Sequence, residues 1–177
     1  VITRAYNRLE YTIQHINCIN DNTTYSNYKH YIINNNSNDG TKEWLDWIRK
    51  YNITWYPHLI IYNYTRNFGD YGGFVVGSKT TSDDTEYLVQ IDNDILVQKG
   101  WLTSLVEVLE NTESNGVMLK REGVGKEIAI SNNRSIIINN NNYLIGDCKQ
   151  LVACYILKKD RFLRVCDKAT HQNEIDK

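Results

Sequence analysis

The sequence predicts an α/β fold with a mainly parallel central sheet and a smaller mixed or antiparallel second lobe. Apolar runs of strand character alternate with amphipathic segments along the first lobe, as in strands joined by crossover helices. Beyond about residue 115 the pattern changes to shorter strand-like pieces, which favours antiparallel pairing. The 177 residues suffice for one domain with a core, so we expect a single domain with lobes at 1–110 and 111–177.

Four apolar runs predict the strands of the first lobe. They are Val1–Thr3, Tyr28–Ile33, His58–Tyr62 and Tyr87–Ile91. Helices are predicted after the first, second and fourth runs, because apolar residues recur there at helical spacing, starting at Leu9, Trp44 and Leu102. Between the third and fourth runs, Gly72-Gly73 predicts a flexible connection.

Shorter runs predict the strands of the second lobe. They are Val117–Leu119, Ile128–Ile130, Ser135–Ile138 and Leu151–Leu157. A polar loop is predicted at Asn139–Asn142, and a short helix at Lys159–Val165. The chain begins at Val1 inside a predicted strand, so we expect it to be trimmed from something larger, which would leave the second lobe truncated.

The fourth run ends in Asp92-Asn93-Asp94, which places two carboxylates at the end of a predicted buried strand. The carboxyl ends of parallel strands border the crevice in which open α/β sheets bind ligands. Hard oxygen donors suit Mg²⁺ or Mn²⁺ carrying a diphosphate. The motif therefore predicts a metal site for nucleotide chemistry, with an ordinary acidic turn as the alternative.

Composition argues against several classes of protein. Lys plus Arg number 20 against 21 for Asp plus Glu, so no basic field would attract a nucleic acid, and none is expected as a partner. No stretch approaches the roughly 20 apolar residues that span a bilayer, so no integral membrane segment is expected. The cysteine spacings match no zinc pattern, and apolar neighbours suggest buried, reduced thiols, which favours a cytoplasmic location.

Several short segments, in order along the predicted elements, resemble the family-2 glycosyltransferases. They are Thr3–Arg8, Asn36–Thr41, Asn67–Gly69, and Glu86-Tyr87 leading to Asp92–Asp94 with Gly100–Leu102 behind it. The similarity runs from Val1 to about Leu109. It implies the three-layer, Rossmann-like fold called GT-A, in which the first lobe binds a nucleotide sugar and the second lobe receives the acceptor.

The resemblance implies a set of nucleotide-binding residues. Carried over by position, they are Thr3, Arg4, Asn7, Asn34 or Asn35, Asn67, Asp92 and Asn93. The family usually has an aspartate that reads the base where this chain has Asn34 or Asn35. An amide both donates and accepts, so the identity of the base stays open among uracil, guanine and thymine donors, that is UDP-, GDP- or dTDP-linked sugars.

The resemblance also implies a cofactor, Mn²⁺ or Mg²⁺, and an inverting transfer to the hydroxyl of a glycan or another compound. Asp94 is the expected direct metal ligand, Asp92 binds the ribose or a metal-bound water, and His171 is a candidate third ligand. Glu174, with Asp176 as its alternate, is the candidate base that removes the acceptor proton. Trp101 is placed either to touch a sugar or to pack in the core.

Two other functions are alternatives to this one. An inactive sugar-nucleotide-binding or interaction module of the same fold would fit the asparagine at the position of the base-reading aspartate. A nucleotidyltransferase would normally show a Gly-rich phosphate loop near the first strand, and Thr3–Arg8 contains no glycine.

Overall fold

The computed structural model describes residues 1–119, 131–147, 153–164 and Cys166. Within these residues, six strands form one sheet in the order β3-β2-β1-β4-β8-β5, and two more form a separate hairpin. The strands of the large sheet are β1 (Ile2–Ala5), β2 (His30–Asn35), β3 (Leu59–Tyr64), β4 (Tyr87–Asp92), β5 (Gly116–Met118) and β8 (Cys154–Lys158). β1 to β4 pair in parallel, whereas β8 runs antiparallel to both β4 and β5. The predicted mainly parallel sheet is confirmed.

Helices cover both faces of this sheet, which gives three layers. They are α1 (Leu9–Asn22), α2 (Thr41–Trp47), α3 (Gly69–Thr80) and α4 (Trp101–Glu110). One face is covered by α1, α2 and α4, where Ile16, Leu45 and Leu105 pack against strand residues. The other face is covered by α3 and the helical residues 159–164, through Phe74 and Phe162. After α2 the chain continues as a π-helical turn, Ile48–Asn52, and a 3₁₀ turn, Ile53–Trp55.

The helix α3 replaces the flexible connection predicted around Gly72-Gly73, so that prediction was wrong. The glycines serve close packing. A Cβ on Gly77 would lie 2.6 Å from Ile2 Cγ2, and one on Gly73 would lie 2.9 Å from Arg4 Cδ. The helix therefore lies closer to β1 than a helix with ordinary side chains could lie. The segment has no amphipathic pattern, so the sequence did not predict a helix there.

The second lobe holds an antiparallel hairpin of β6 (Ser131–Ile138) and β7 (Asn141–Asp147), as expected for this part of the chain. Its tip docks on α4, because Glu107 accepts hydrogen bonds from Asn139 Nδ2, Asn141 Nδ2 and the Tyr143 hydroxyl. The predicted strand at Ile128–Ile130 and the start of the Leu151–Leu157 run lie outside the described residues. In the part of the chain that the structure describes, no helix has the length and apolar character to cross a membrane.

Candidate functional site

The carboxyl edge of the parallel strands contains a reversal of strand order. The chain moves outward from β1 to β2 and β3, then crosses to the far side of β1 to form β4. Such a switch point opens a crevice between the two strands, where α/β proteins bind ligands. Arg4 and Asp92 lie opposite each other in the register of β1 and β4, so both stand at this crevice.

Arg4 ties the first carboxylate of the acidic motif to α3. Its Nη2 lies 3.4 Å from Asp92 Oδ1 and 3.3 Å from Asp70 Oδ1, while Nη1 donates to the Asp70 carbonyl at 2.7 Å. The aliphatic part of the side chain passes over Gly73, which has no Cβ to block it. Arg4 is thereby held beside Asp92 at the carboxyl edge of the sheet.

The second carboxylate pairs with an arginine that the sequence analysis did not select. Arg8 Nη1 donates to Asp94 Oδ2 at 2.6 Å, from a left-handed backbone position with φ 60° just ahead of α1. Both side chains are accessible, at 60% for Arg8 and 36% for Asp94. An exposed ion pair of this kind contributes about 0–1 kcal/mol to stability, so a ligand can replace either partner of the pair at little cost. Arg8 is the last residue of the Thr3–Arg8 segment, and its positive charge is the feature of the sequence that could have indicated a partner for a carboxylate.

Asn93 lies between the two aspartates and points into the protein. Its Nδ2 donates to Thr12 Oγ1 at 2.8 Å and to the Asn7 carbonyl at 3.3 Å. The Asn7 side chain is also engaged, since its Oδ1 accepts from the Asn38 backbone N–H at 2.9 Å. Both asparagines, predicted to bind nucleotide, therefore hold the loops around the crevice together.

Thr3 is fully buried, away from the crevice. Its Oγ1 lies 2.9 Å from His15 Nε2 and 2.9 Å from His30 Nε2. Burial lowers the pKa of His15 to about 4, although the hydrogen bond to the Ile95 carbonyl and the charge of Asp94 both act to raise it. Burial also lowers the pKa of His30, which lies well below its ordinary value. The predicted contact between Thr3 and a nucleoside has no basis in this arrangement, because its hydroxyl is committed to two neutral imidazoles.

Asn34 and Asn35 belong to an amide network at the ends of β2 and β3. Asn34 Nδ2 donates to Asn63 Oδ1 at 2.8 Å, and Asn35 Nδ2 donates to Asn67 Oδ1 at 2.7 Å. Both Asn34 and Asn35 are buried, at 0% and 1% exposure, so neither side chain is available to a base at the surface. Asn67 also accepts from the Gly69 backbone N–H at the start of α3. The side chains of Asn34 and Asn35 thus join the end of β2 to β3 and to the start of α3.

The strand β8 pairs with β4 on the side away from β1. Burial, followed by the charge of Asp92, raises the pKa of Cys154 and of Tyr155 to about 12, so both groups are neutral at pH 7. The Tyr155 hydroxyl donates to Gln90 Oε1 at 2.7 Å. Trp101 is buried, and its Nε1 donates to Thr23 Oγ1 at 2.9 Å, so it packs in the core instead of facing a sugar.

The acidic pair fits a hard divalent ion. Asp92 and Asp94 are partly exposed carboxylates, and Mg²⁺-type ions take few protein carboxylates and complete their shell with waters and phosphate oxygens. Among the described residues, no group of three or more His, Cys, Asp or Glu side chains could hold a metal by itself. His171, Glu174 and Asp176 lie outside the described residues.

Solved structures of several proteins share this architecture. The S. aureus TarS 1-349 structure is 16% identical, with a TM-score of 0.59 over 89% of this chain and 46% of its own. The mannosyltransferase PcManGT from Pyrobaculum calidifontis, in complex with GDP-Man and Mn²⁺, is 18% identical, with a TM-score of 0.58 over 68% of this chain and 34% of its own. The 4-diphosphocytidyl-2C-methyl-D-erythritol synthase from Anaerococcus prevotii is 11% identical, with a TM-score of 0.53 over 96% and 75%. At these identities the likeness shows the fold alone.

This chain spans less than half the length of the TarS and PcManGT structures that it matches. Among curated proteins, none matches the sequence significantly. The family model described as glycosyl transferase family 2 matches residues 1–165, which covers every described strand and helix of the central sheet. With the GT-A architecture and an acidic pair at the end of β4, this match establishes that the chain belongs to glycosyl transferase family 2.

Proposed function

We propose that the chain moves a sugar from a nucleoside diphosphate to an acceptor hydroxyl, in a metal-dependent reaction that inverts the anomeric configuration. The observation that supports this function best is the placement of Asp92 and Asp94 at the carboxyl end of β4, beside the switch point of the sheet. Membership of glycosyl transferase family 2 supplies the reaction class.

The donor would lie over the edge of β1 and β4. Arg4 and Arg8 present guanidinium groups to this edge, and such groups match the oxygens of a diphosphate. As the sugar leaves, negative charge grows on the diphosphate, and fixed positive groups stabilise that charge. Arg4 is the better anchored of the two, because its backbone is in a strand and its stem lies against α3.

Asp94, assisted by Asp92, would hold Mn²⁺ or Mg²⁺ at this edge. When bound, the ion supplies charge that neutralises the departing diphosphate. The Asn93 side chain, which donates to Thr12 and Asn7, keeps the turn between the two aspartates fixed. The PcManGT structure, described in complex with GDP-Man and Mn²⁺, supports a sugar nucleotide and a divalent ion as ligands.

The acceptor would be a glycan or another hydroxyl compound, bound on the side of β8 and the second lobe. Inversion requires one further carboxylate to take the acceptor proton, and Glu174 or Asp176 is proposed for this role from the sequence. A Glu174→Ala variant that keeps nucleotide affinity but loses transfer would identify the base.

Calorimetry with UDP, GDP and dTDP tests the donor site. We expect at least one of the three to bind in the presence of Mn²⁺ and to bind weakly or not at all in EDTA. In Asp94→Asn the Mn²⁺-assisted affinity should fall by about tenfold or more, which corresponds to about 1.4 kcal/mol or more. Asp83→Asn is the matched control, because Asp83 is exposed and precedes β4 at the opposite end of the strand.

Sugar transfer is then assayed with the corresponding UDP-, GDP- and dTDP-sugars. Transfer that requires Asp94 would support the proposed enzyme. Binding that requires Asp94 without any turnover would instead favour an inactive sugar-nucleotide-binding module. The absence of Mn²⁺-assisted uptake of all three nucleotides by the unaltered chain would overturn the proposed function.

A further inference from the structure

One face of α1 contacts the loop that follows β4 through several successive turns of the helix. Polar side chains spaced three residues apart on the helix meet every second residue of the loop. The contacts are Asn93 Nδ2 to Thr12 Oγ1 at 2.8 Å, His15 Nδ1 to the Ile95 carbonyl at 2.6 Å, and the Val97 backbone N–H to Cys18 Sγ at 3.2 Å. Asn93 and Asp94 form a turn that is closed by the Ile95 backbone N–H, which donates to the Asp92 carbonyl at 3.2 Å. Within this turn the Asn93 side chain meets the helix, whereas Asp94 is exposed and pairs with Arg8.

His15 makes the central contact, and its hydrogen bonds have one direction only. A carbonyl oxygen accepts, so Nδ1 carries the proton that is donated to Ile95. Nε2 therefore accepts from the Thr3 hydroxyl, and Thr3 Oγ1 in turn accepts from His30 Nε2–H. The ring is fully buried between α1 and β1, so these bonds fix both its orientation and its tautomer.

We propose that His15 is a positioning residue for the acidic pair. It holds the Ile95 carbonyl in place, and thereby the turn from which Asp94 points to Arg8 and the crevice. The proposal deepens the proposed function and rests on it for the role of Asp94. Ile95 is the residue after Asp94 and its N–H closes the turn at Asp92, so displacement of Ile95 shifts the backbone that carries the Asp94 carboxylate. A carboxylate that must meet an ion and a diphosphate together tolerates little displacement.

A histidine that only fills space in the core would act through stability alone, and two amide variants separate these roles. In His15→Asn, the amide nitrogen lies near the place of Nδ1 and can still donate to Ile95. In His15→Gln, the amide lies near the place of Nε2 and reaches Thr3 but not Ile95. Asn is one methylene shorter than Gln and leaves the larger cavity, so a loss of packing alone would loosen the loop more in His15→Asn, which is the opposite of the result expected here.

Hydrogen exchange of residues 93–101 is measured first, without nucleotide or metal. We expect the amides of this loop to exchange about tenfold faster in His15→Gln than in His15→Asn, because loss of one buried hydrogen bond weakens the local structure by about 1.4 kcal/mol. Equal exchange in the two variants would overturn the proposal, whatever the chain binds.

Mn²⁺ titration in the presence of the nucleotide that the unaltered chain binds is the second measurement. His15→Gln should need more Mn²⁺ for half-saturation than His15→Asn, and equal requirements would count against His15 as a positioning residue. If the unaltered chain binds no nucleotide, the proposed function fails, while the exchange experiment still decides whether His15 holds the loop.

Thr12→Val and Thr12→Ser serve if the His15 variants do not fold. The valine removes the acceptor for Asn93 and the serine keeps it, so faster loop exchange is expected in Thr12→Val alone. Equal exchange in this pair would show that the polar face of α1 does not hold the loop, and the proposal would fall with it.

Discussion

His15 and His30 are forced to be neutral by their surroundings. Both rings are buried, and Thr3 joins them through one hydroxyl. Among the described residues, the hydrogen-bond partners of the two rings are the Thr3 hydroxyl and the Ile95 carbonyl, which are uncharged, and burial lowers the pKa of both histidines. This buried group links the stability of the protein to pH.

The free energy of unfolding should decrease as the pH falls from 6.5 to 4. The pKa of His15 is about 4 in the folded protein against 6.5 in the unfolded chain, so only the unfolded chain gains a proton in this window. His15 alone should remove about 2 kcal/mol between pH 7 and pH 5. Urea unfolding at these two pH values measures the loss, and His15→Leu should show a smaller pH dependence. An identical dependence in the variant would contradict the assignment.

Individual residues of the site could be predicted only in part. The position of Asp92 and Asp94 at the end of a strand could be predicted because they follow an apolar run, which is a local pattern. The partners of Thr3 come from positions 12 and 27 residues away, and nothing in the sequence near Thr3 shows them. The burial of Asn34 and Asn35 could not be predicted for the same reason, because their amide partners are on β3 and the segment that follows it.

At the scale of the elements, α3 shows how a helix can lack the pattern that predicts helices. Its buried residues include Gly73, Gly77 and Ser78, which give no apolar stripe. Glycine weakens an isolated helix by about 1 kcal/mol per residue relative to alanine. Packing of α3 against β1 and β2 compensates for this low helix propensity, and such a tertiary contact cannot be predicted from local propensity.

Gly77→Ala should destabilise the protein by about 1–2 kcal/mol. The new methyl group would lie 2.6 Å from Ile2 Cγ2 and 2.9 Å from Ile33 Cγ1, and both isoleucines are fully buried. Overpacking of about 1–3 kcal/mol outweighs the gain in helix propensity. Chemical unfolding measures the change. Lys79→Ala, at an exposed position of the same helix, is the control and should stay within about 0.5 kcal/mol. A Gly77→Ala protein as stable as this control would refute the close approach of α3.

At the scale of the whole molecule, the fold was predicted more completely than the site. The alternation of apolar runs and amphipathic segments gave the four parallel strands and three of the helices, because periodicity follows directly from burial. Strand order was not readable, since neighbouring strands such as β4 and β8 are far apart in sequence. The location of the crevice at the switch point therefore follows from the strand order in the structure, together with the fold that the family resemblance implied.

Nucleotide binding should stabilise the whole domain, because the ligand would bind the folded chain only. At 100 times its dissociation constant, a nucleoside diphosphate with Mn²⁺ should add about 2.7 kcal/mol. For a chain of this size that corresponds to an increase in Tm of about 5–10 °C. A thermal scan with and without EDTA measures the shift. Asp94→Asn should lose most of it, and a shift that persists in EDTA would contradict the role of the metal.

The antiparallel strand β8 has a consequence for how the proposed function could change in evolution. Ile91 faces Cys154 in the register, and the Asp92 backbone N–H donates to the Ala153 carbonyl, so the end of one strand meets the beginning of the other. The backbone beside Asp92 is therefore shared between the parallel part of the sheet and a strand that comes much later in the chain. If the chain transfers a sugar as proposed, replacement of the segment from β8 onward would change the recipient molecule and leave Arg4 and the acidic pair in place.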